Sequence, residues 1–146
     1  MNSVRSTSSG FTLLEMMIVL VVLGIVAAFL VPGATVMSQG MQLNGAASNM
    51  AGQLQLCRST AMATGVDQMM HFSADSLGSD YHIHEGGNIR GSWKLPNGVT
   101  YVSPAFQSVT MMRNGRASTS TYIVLQNRRG DMDTVSVQAS GLITVY

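Results

Sequence analysis

The feature that most restricts this chain is Gly10-Phe11-Thr12-Leu13-Leu14-Glu15 running directly into Met16 to Val31, a segment with no polar side chain. Phe11 to Val31 spans 21 residues, all apolar or small except Thr12 and Glu15. At about 1.5 Å rise per residue it makes a helix of about 31 Å, the hydrocarbon thickness of a bilayer. A soluble core helix is not written this way. Arg5 is the only cation before the run and Arg58 is the next after it. The positive-inside tendency therefore predicts a cytoplasmic amino terminus and an exported remainder.

A cleaved secretory signal has a shorter apolar core, about 7–15 residues, with a small-x-small site after it. Here the expected processing point lies before the run, at Gly10, so the apolar segment stays in the mature protein. The alternative is an uncleaved signal-anchored periplasmic protein that keeps Met1. Glu15 separates the two. An ionised acid at the centre of a membrane helix costs about 2.5–3.5 kcal/mol, and less near an interface. A plain anchor gains nothing from it. Cleavage after Gly10 would give Phe11 a free α-amine one helical turn before Glu15, and the two charges attract strongly where water is scarce. Between chains, the amine of one subunit would neutralise the acid of its neighbour.

These residues resemble the amino-terminal signature of type IV pilins and type II secretion pseudopilins. The resemblance implies cleavage after Gly10 by a prepilin peptidase, N-methylation of Phe11, subunit docking guided by Glu15 and a helix kink at Pro32. The leader departs from the family pattern, because Ser6-Thr7-Ser8-Ser9 stand where basic residues are favoured.

Composition narrows the remaining classes. Formal net charge is +1, and losing a leader with Arg5 would bring it to about zero, which gives no nucleic-acid signal. Charged residues make up 10% of a chain rich in Ser, Thr, Asn, Gln and Gly, as suits an extracytoplasmic, assembly-prone surface. Cys57 is the single cysteine, so the domain must hold by packing alone. The 12 methionines are expected as core filler.

Beyond Pro32-Gly33, Val36, Gly40, Leu43, Ala47, Met50, Leu54, Cys57 and Ala61 recur at helical spacing and define one apolar face. Gly65 suits the helix end. Pro32 removes a backbone hydrogen bond, so a kink or a partly melted turn is expected there. From Val66 onward, β-prone runs alternate with turn residues: Val66–Phe72, Tyr81–His84, Val99–Val102, Val109–Met112, Tyr122–Gln126, Thr134–Ala139 and Leu142–Tyr146. The last two predict a hairpin around Ser140-Gly141. The fold class is therefore α+β, a long helix packed against a carboxy-terminal antiparallel sheet. The expected parts are a leader at 1–10, a transmembrane helix at 11–31, an amphipathic helix at 32–65 and a β-rich domain at 66–146.

Leu54 to Gly65, with Arg58 before Ser59, resembles the Leu-x-x-Ala-Arg-Ser-x-Ala segment of GspH/FimT-type minor pseudopilins, and Cys57 replaces the usual alanine. That resemblance implies a minor subunit that starts or caps a type II secretion pseudopilus or a type IV pilus. Its implied partners are other pilin or pseudopilin subunits, the prepilin peptidase and an inner-membrane assembly platform. The implied location is the bacterial inner membrane and then the filament.

No catalytic signature is present. There is no Gly-x-Ser-x-Gly elbow, no phosphate loop and no CxxC or HExxH, so neither a catalytic residue nor a cofactor is expected. His71, His82 and His84, with Asp80 and Glu85, invite a metal reading, since His82 and His84 share a strand face. The expectation is solvated histidines and no metal. Arg113, Arg116, Arg128 and Arg129 define a possible basic edge, and some family relatives bind DNA during uptake. Those carry Gly-Arg-x-Arg where this chain has Gly141-Leu142-Ile143-Thr144. A DNA-binding minor pilin of an uptake pilus is kept as an alternative, without nucleic acid as the expected partner.

Overall fold

The computed structural model describes residues 11–72, 78–103 and 108–146, and of residues 30–34 and 103 it describes secondary structure alone. The leader with Gly10 and the turn at Pro104 lie outside the described residues. One helix, α1 (Leu13–Thr64), precedes eight strands: β1 (Gln68–His71), β2 (Tyr81–Glu85), β3 (Asn88–Trp93), β4 (Thr100–Ser103), β5 (Ser108–Met111), β6 (Thr121–Gln126), β7 (Met132–Val137) and β8 (Ile143–Val145). The chain divides into two compact units, Met1–Met37 and Ser38–Tyr146.

In the first unit every described side chain from Phe11 to Phe29 is exposed, and the apolar character goes all the way round the helix. Among the described residues no helix is long and apolar enough to cross a membrane. The described side chains of the apolar run stop at Phe29, short of Leu30 and Val31. The α-helix continues through Pro32, whose side chain is outside the description.

In the second unit the helical stripe packs as its spacing predicts. Leu43, Ala47, Met50, Leu54, Cys57 and Ala61 are all buried, joined by Ala46 and Ala51. Burial starts at Leu43, however, and Val36 is exposed. Fully burying a side chain the size of Leu54 or Met50 contributes about 1.5–3 kcal/mol. Gly65, with a positive φ, ends the helix, its N–H bonded to the Ala61 carbonyl at 3.0 Å.

The α+β class holds, but the strands form two sheets where one was expected. The first has the order β3-β2-β1-β5 and the second β4-β6-β7-β8, with every pairing antiparallel. Met70, Ile83, Val109 and Met111 from the first, and Ile123, Leu125, Val135 and Val137 from the second, join the helix stripe in one core. Strand β3 escaped the sequence reading. Its Asn-Ile-Arg-Gly-Ser-Trp is polar, exposed along most of its length and interrupted by Gly91. As an edge strand it needs one neighbour only, and the Trp93 ring lies over Gly91 and stacks on Tyr81 at 5.6 Å. Gly86-Gly87, a two-residue hairpin between Glu85 and Asn88, was the available signal.

Three loops share one design. Met112–Arg116, Asn127–Asp131 and Gln138–Leu142 each close with the first N–H bonded to the last carbonyl. In each, the fourth residue is a glycine with positive φ: Gly115, Gly130 or Gly141. This is the three-residue hairpin loop ending in a left-handed position. Two of the loops meet. A Cβ on Gly141 would collide with the Gly115 carbonyl oxygen and come within 2.9 Å of Arg58 Nε. Arg58 Nε itself donates to that carbonyl at 2.8 Å, tying the last turns of α1 to the β5–β6 connection.

Candidate functional site

The start of α1 is built by Thr12. Its Oγ1 accepts the Glu15 N–H at 3.2 Å, and its carbonyl accepts the Met16 N–H at 3.2 Å. Thr12 is therefore the N-cap and Glu15 the third helical residue, the Thr-x-x-Glu spacing of a capping box. The sequence reading used Glu15 and missed Thr12, although Thr-x-x-Glu before an apolar run was there to be read. An acid in the first turn gains about 0.3–1 kcal/mol from the helix dipole. That is less than the penalty of about 2.5–3.5 kcal/mol for a charge at mid-membrane. Capping thus explains Glu15 at a wet helix end, and a counter-charge is still required once the acid enters an apolar layer. Phe11 and Glu15 are both exposed, at the head of the exposed apolar surface from Leu13 to Phe29.

The four candidate arginines do not form one edge. Arg113 and Arg116 belong to the loop before β6, and Arg128 and Arg129 to the loop after it. Strand β6, about 17 Å long, separates the two loops. Two of the side chains have neighbours at their own end of the strand, Arg128 lining Gly98 and Arg129 lying 3.8 Å from Asp131, whereas Arg113 is held through its backbone N–H, which donates to Asp67 Oδ1 at 2.9 Å. Proximity in sequence suggested a patch that an intervening strand takes apart.

The histidines, by contrast, come together. His82 and His84 of β2 share the outer face of the first sheet, and the β1–β2 register sets His71 directly opposite His82. Ring centroids stand 5.3 Å apart for His71–His82, 5.0 Å for His71–His84 and 4.8 Å for His82–His84. The expectation of solvated histidines fails at His82, which is 7% exposed. Burial, and then the adjacent His84 and His82, hold His71 below the usual imidazole pKa.

Cys57, 2% exposed within the helix stripe, has its pKa pushed up to about 12 by burial, partly offset by a backbone hydrogen bond. It therefore stays a neutral, packed thiol at physiological pH.

Comparison with known proteins agrees with both halves of this description. The prokaryotic N-terminal methylation motif matches residues 5–31. Among solved structures, the fold is similar to the type IV minor pilin FimU of Pseudomonas aeruginosa (strain PAO1) in two crystal forms. One gives a TM-score of 0.60 at 18% identity, covering 75% of this chain and 92% of FimU. The other gives 0.56 at 20% identity, covering 71% and 92%. The minor pseudopilin EpsH from the Type 2 Secretion System of Vibrio cholerae is similar with a TM-score of 0.55 at 15% identity, covering 72% of this chain and 96% of EpsH. At these identities the likeness is one of fold. No curated protein matches the chain in sequence.

Proposed function

We propose that this chain is a minor pilin or pseudopilin, a structural subunit that polymerises and does not catalyse. The observation that carries the reading is the coincidence of two independent findings. The amino-terminal methylation motif matches residues 5–31, and the fold is similar to those of a minor pilin and a minor pseudopilin. FimU comes from a pilus and EpsH from a secretion system, and the reading covers both machines.

In this account a prepilin peptidase cuts after Gly10 and Phe11 is methylated. The apolar run 11–31 anchors the subunit in the inner membrane, with the amino terminus cytoplasmic and the β domain periplasmic. An apolar helix without a polar face supports that placement, because such a helix is stable only where something other than water surrounds it. Pro32 lets the helix bend where it leaves the bilayer. The Phe11 amine and the Glu15 carboxylate set the register between neighbouring subunits, and the β domain makes lateral contacts with other minor subunits at the start or tip of the filament. Gathering at an inner-membrane assembly platform follows from the same reading.

Fractionation of the native host tests it. The protein should resist carbonate extraction in the membrane fraction and pass into the sheared-filament fraction when the assembly motor is active. Recovery entirely in the soluble periplasm, with or without the motor, would contradict the reading.

A further inference from the structure

The outer face of the first sheet carries three clustered histidines. We propose that His71, His82 and His84 form a binding site for one divalent transition-metal ion of imidazole preference, with zinc as the representative ion. The proposal is independent of the family reading.

The argument is geometric. With about 2.1 Å from zinc to nitrogen, each ring centroid stands about 3.2 Å from the metal, and three rings at tetrahedral angles have centroids about 5.2 Å apart. The three observed separations are 4.8, 5.0 and 5.3 Å. Backbone pairing fixes this spacing: two histidines alternate on β2, and the third faces His82 across the β1–β2 ladder. The β1–β2 register runs without a break from His82 to Glu85, and the irregularity beside it, at Arg90, lies on β3.

As the rings stand, His71 and His82 are parallel while His84 is edge-on to both, and no three side chains among the described residues form a ready-made ion site. Convergence on one ion requires the rings to turn. The torsion that turns an imidazole ring has broad, shallow preferences, so rotation without backbone movement redirects the nitrogens. Beside His71 and His84 lies an open depression of about 420 Å³, lined also by Asp67, Met69 and Thr110. It gives the His71 and His84 rings room to turn toward the buried His82, and room for a water in the fourth coordination position, which three protein ligands leave open. Imidazole nitrogens favour zinc, copper and nickel over magnesium or calcium.

Calorimetry with zinc chloride on the detergent-solubilised full chain, purified without a polyhistidine tag, tests the site. The expected result is one zinc per chain. His71→Gln and His84→Gln, both at partly exposed positions, should each weaken binding at least about 100-fold, since even outer-shell changes weaken metal sites 10–100-fold. Cobalt(II) gives a second reading that does not depend on variants. It should produce the intense visible bands of tetrahedral coordination with the wild-type chain, and zinc should displace them. Absence of zinc binding by the wild type, binding undiminished in both variants, or cobalt bands lacking at saturating metal would each overturn the proposal.

Discussion

Replacing Gly141 by alanine is expected to destabilise the second unit by about 3 kcal/mol, enough to remove a large share of a small domain's stability. Two effects add. Gly141 has φ +84, where a side chain brings backbone strain of about 1 kcal/mol or more. The added Cβ also points at the Gly115 carbonyl oxygen, and overpacking against backbone costs about 1–3 kcal/mol. The neighbour has little room to give, because Arg58 Nε already holds that carbonyl at 2.8 Å. Cys57 is a built-in reporter. Buried, with its pKa raised to about 12, it should resist alkylation at pH 8 in the wild-type chain and react after unfolding. Gly141→Ala should lower the melting temperature and speed Cys57 alkylation at least tenfold. Unchanged melting and labelling would show that the two loops do not clasp as described.

Removing the charge of Glu15 is expected to abolish assembly while leaving the fold intact. Truncating one partner of a buried charge pair costs about 2–5 kcal/mol. At about 3 kcal/mol per contact, incorporation falls more than 100-fold. Because Thr12 and Glu15 also start the helix, Glu15→Ala by itself confounds capping with pairing. Glu15→Gln separates them, since glutamine also serves at the third helical position of a capping box but carries no charge. The account predicts that Glu15→Gln fails as badly as Glu15→Ala in filament incorporation or in restoring secretion. Wild-type assembly by Glu15→Gln would reduce the residue to a helix cap.

What the sequence disclosed follows a physical line. The helix stripe from Leu43 to Ala61 was legible because a 3.6-residue period is a local property, written in consecutive turns. Seven of the strands were legible from β-branched and aromatic runs. The division into two sheets was not, because pairing partners such as β1 with β5, or β4 with β6, are far apart in sequence and nothing local specifies them. Strand β3 was lost to its polar, glycine-broken edge character, and the Gly86-Gly87 turn signal beside it went unread. The candidate site divides the same way. Glu15 stands out on hydropathy alone, whereas its partner Thr12 has to be sought by spacing. His82 and His84 were visibly on one face, but the third ring arrives through the β1–β2 register. The arginines show the opposite error, since neighbours in sequence become the two ends of a strand.

The most direct test of the central claim is the intact mass and terminal sequence of the protein isolated from its native host. The account predicts a chain that begins at Phe11 and carries a methyl group on its α-amine. A chain that still begins at Met1, or one cut beyond Val31, would contradict it.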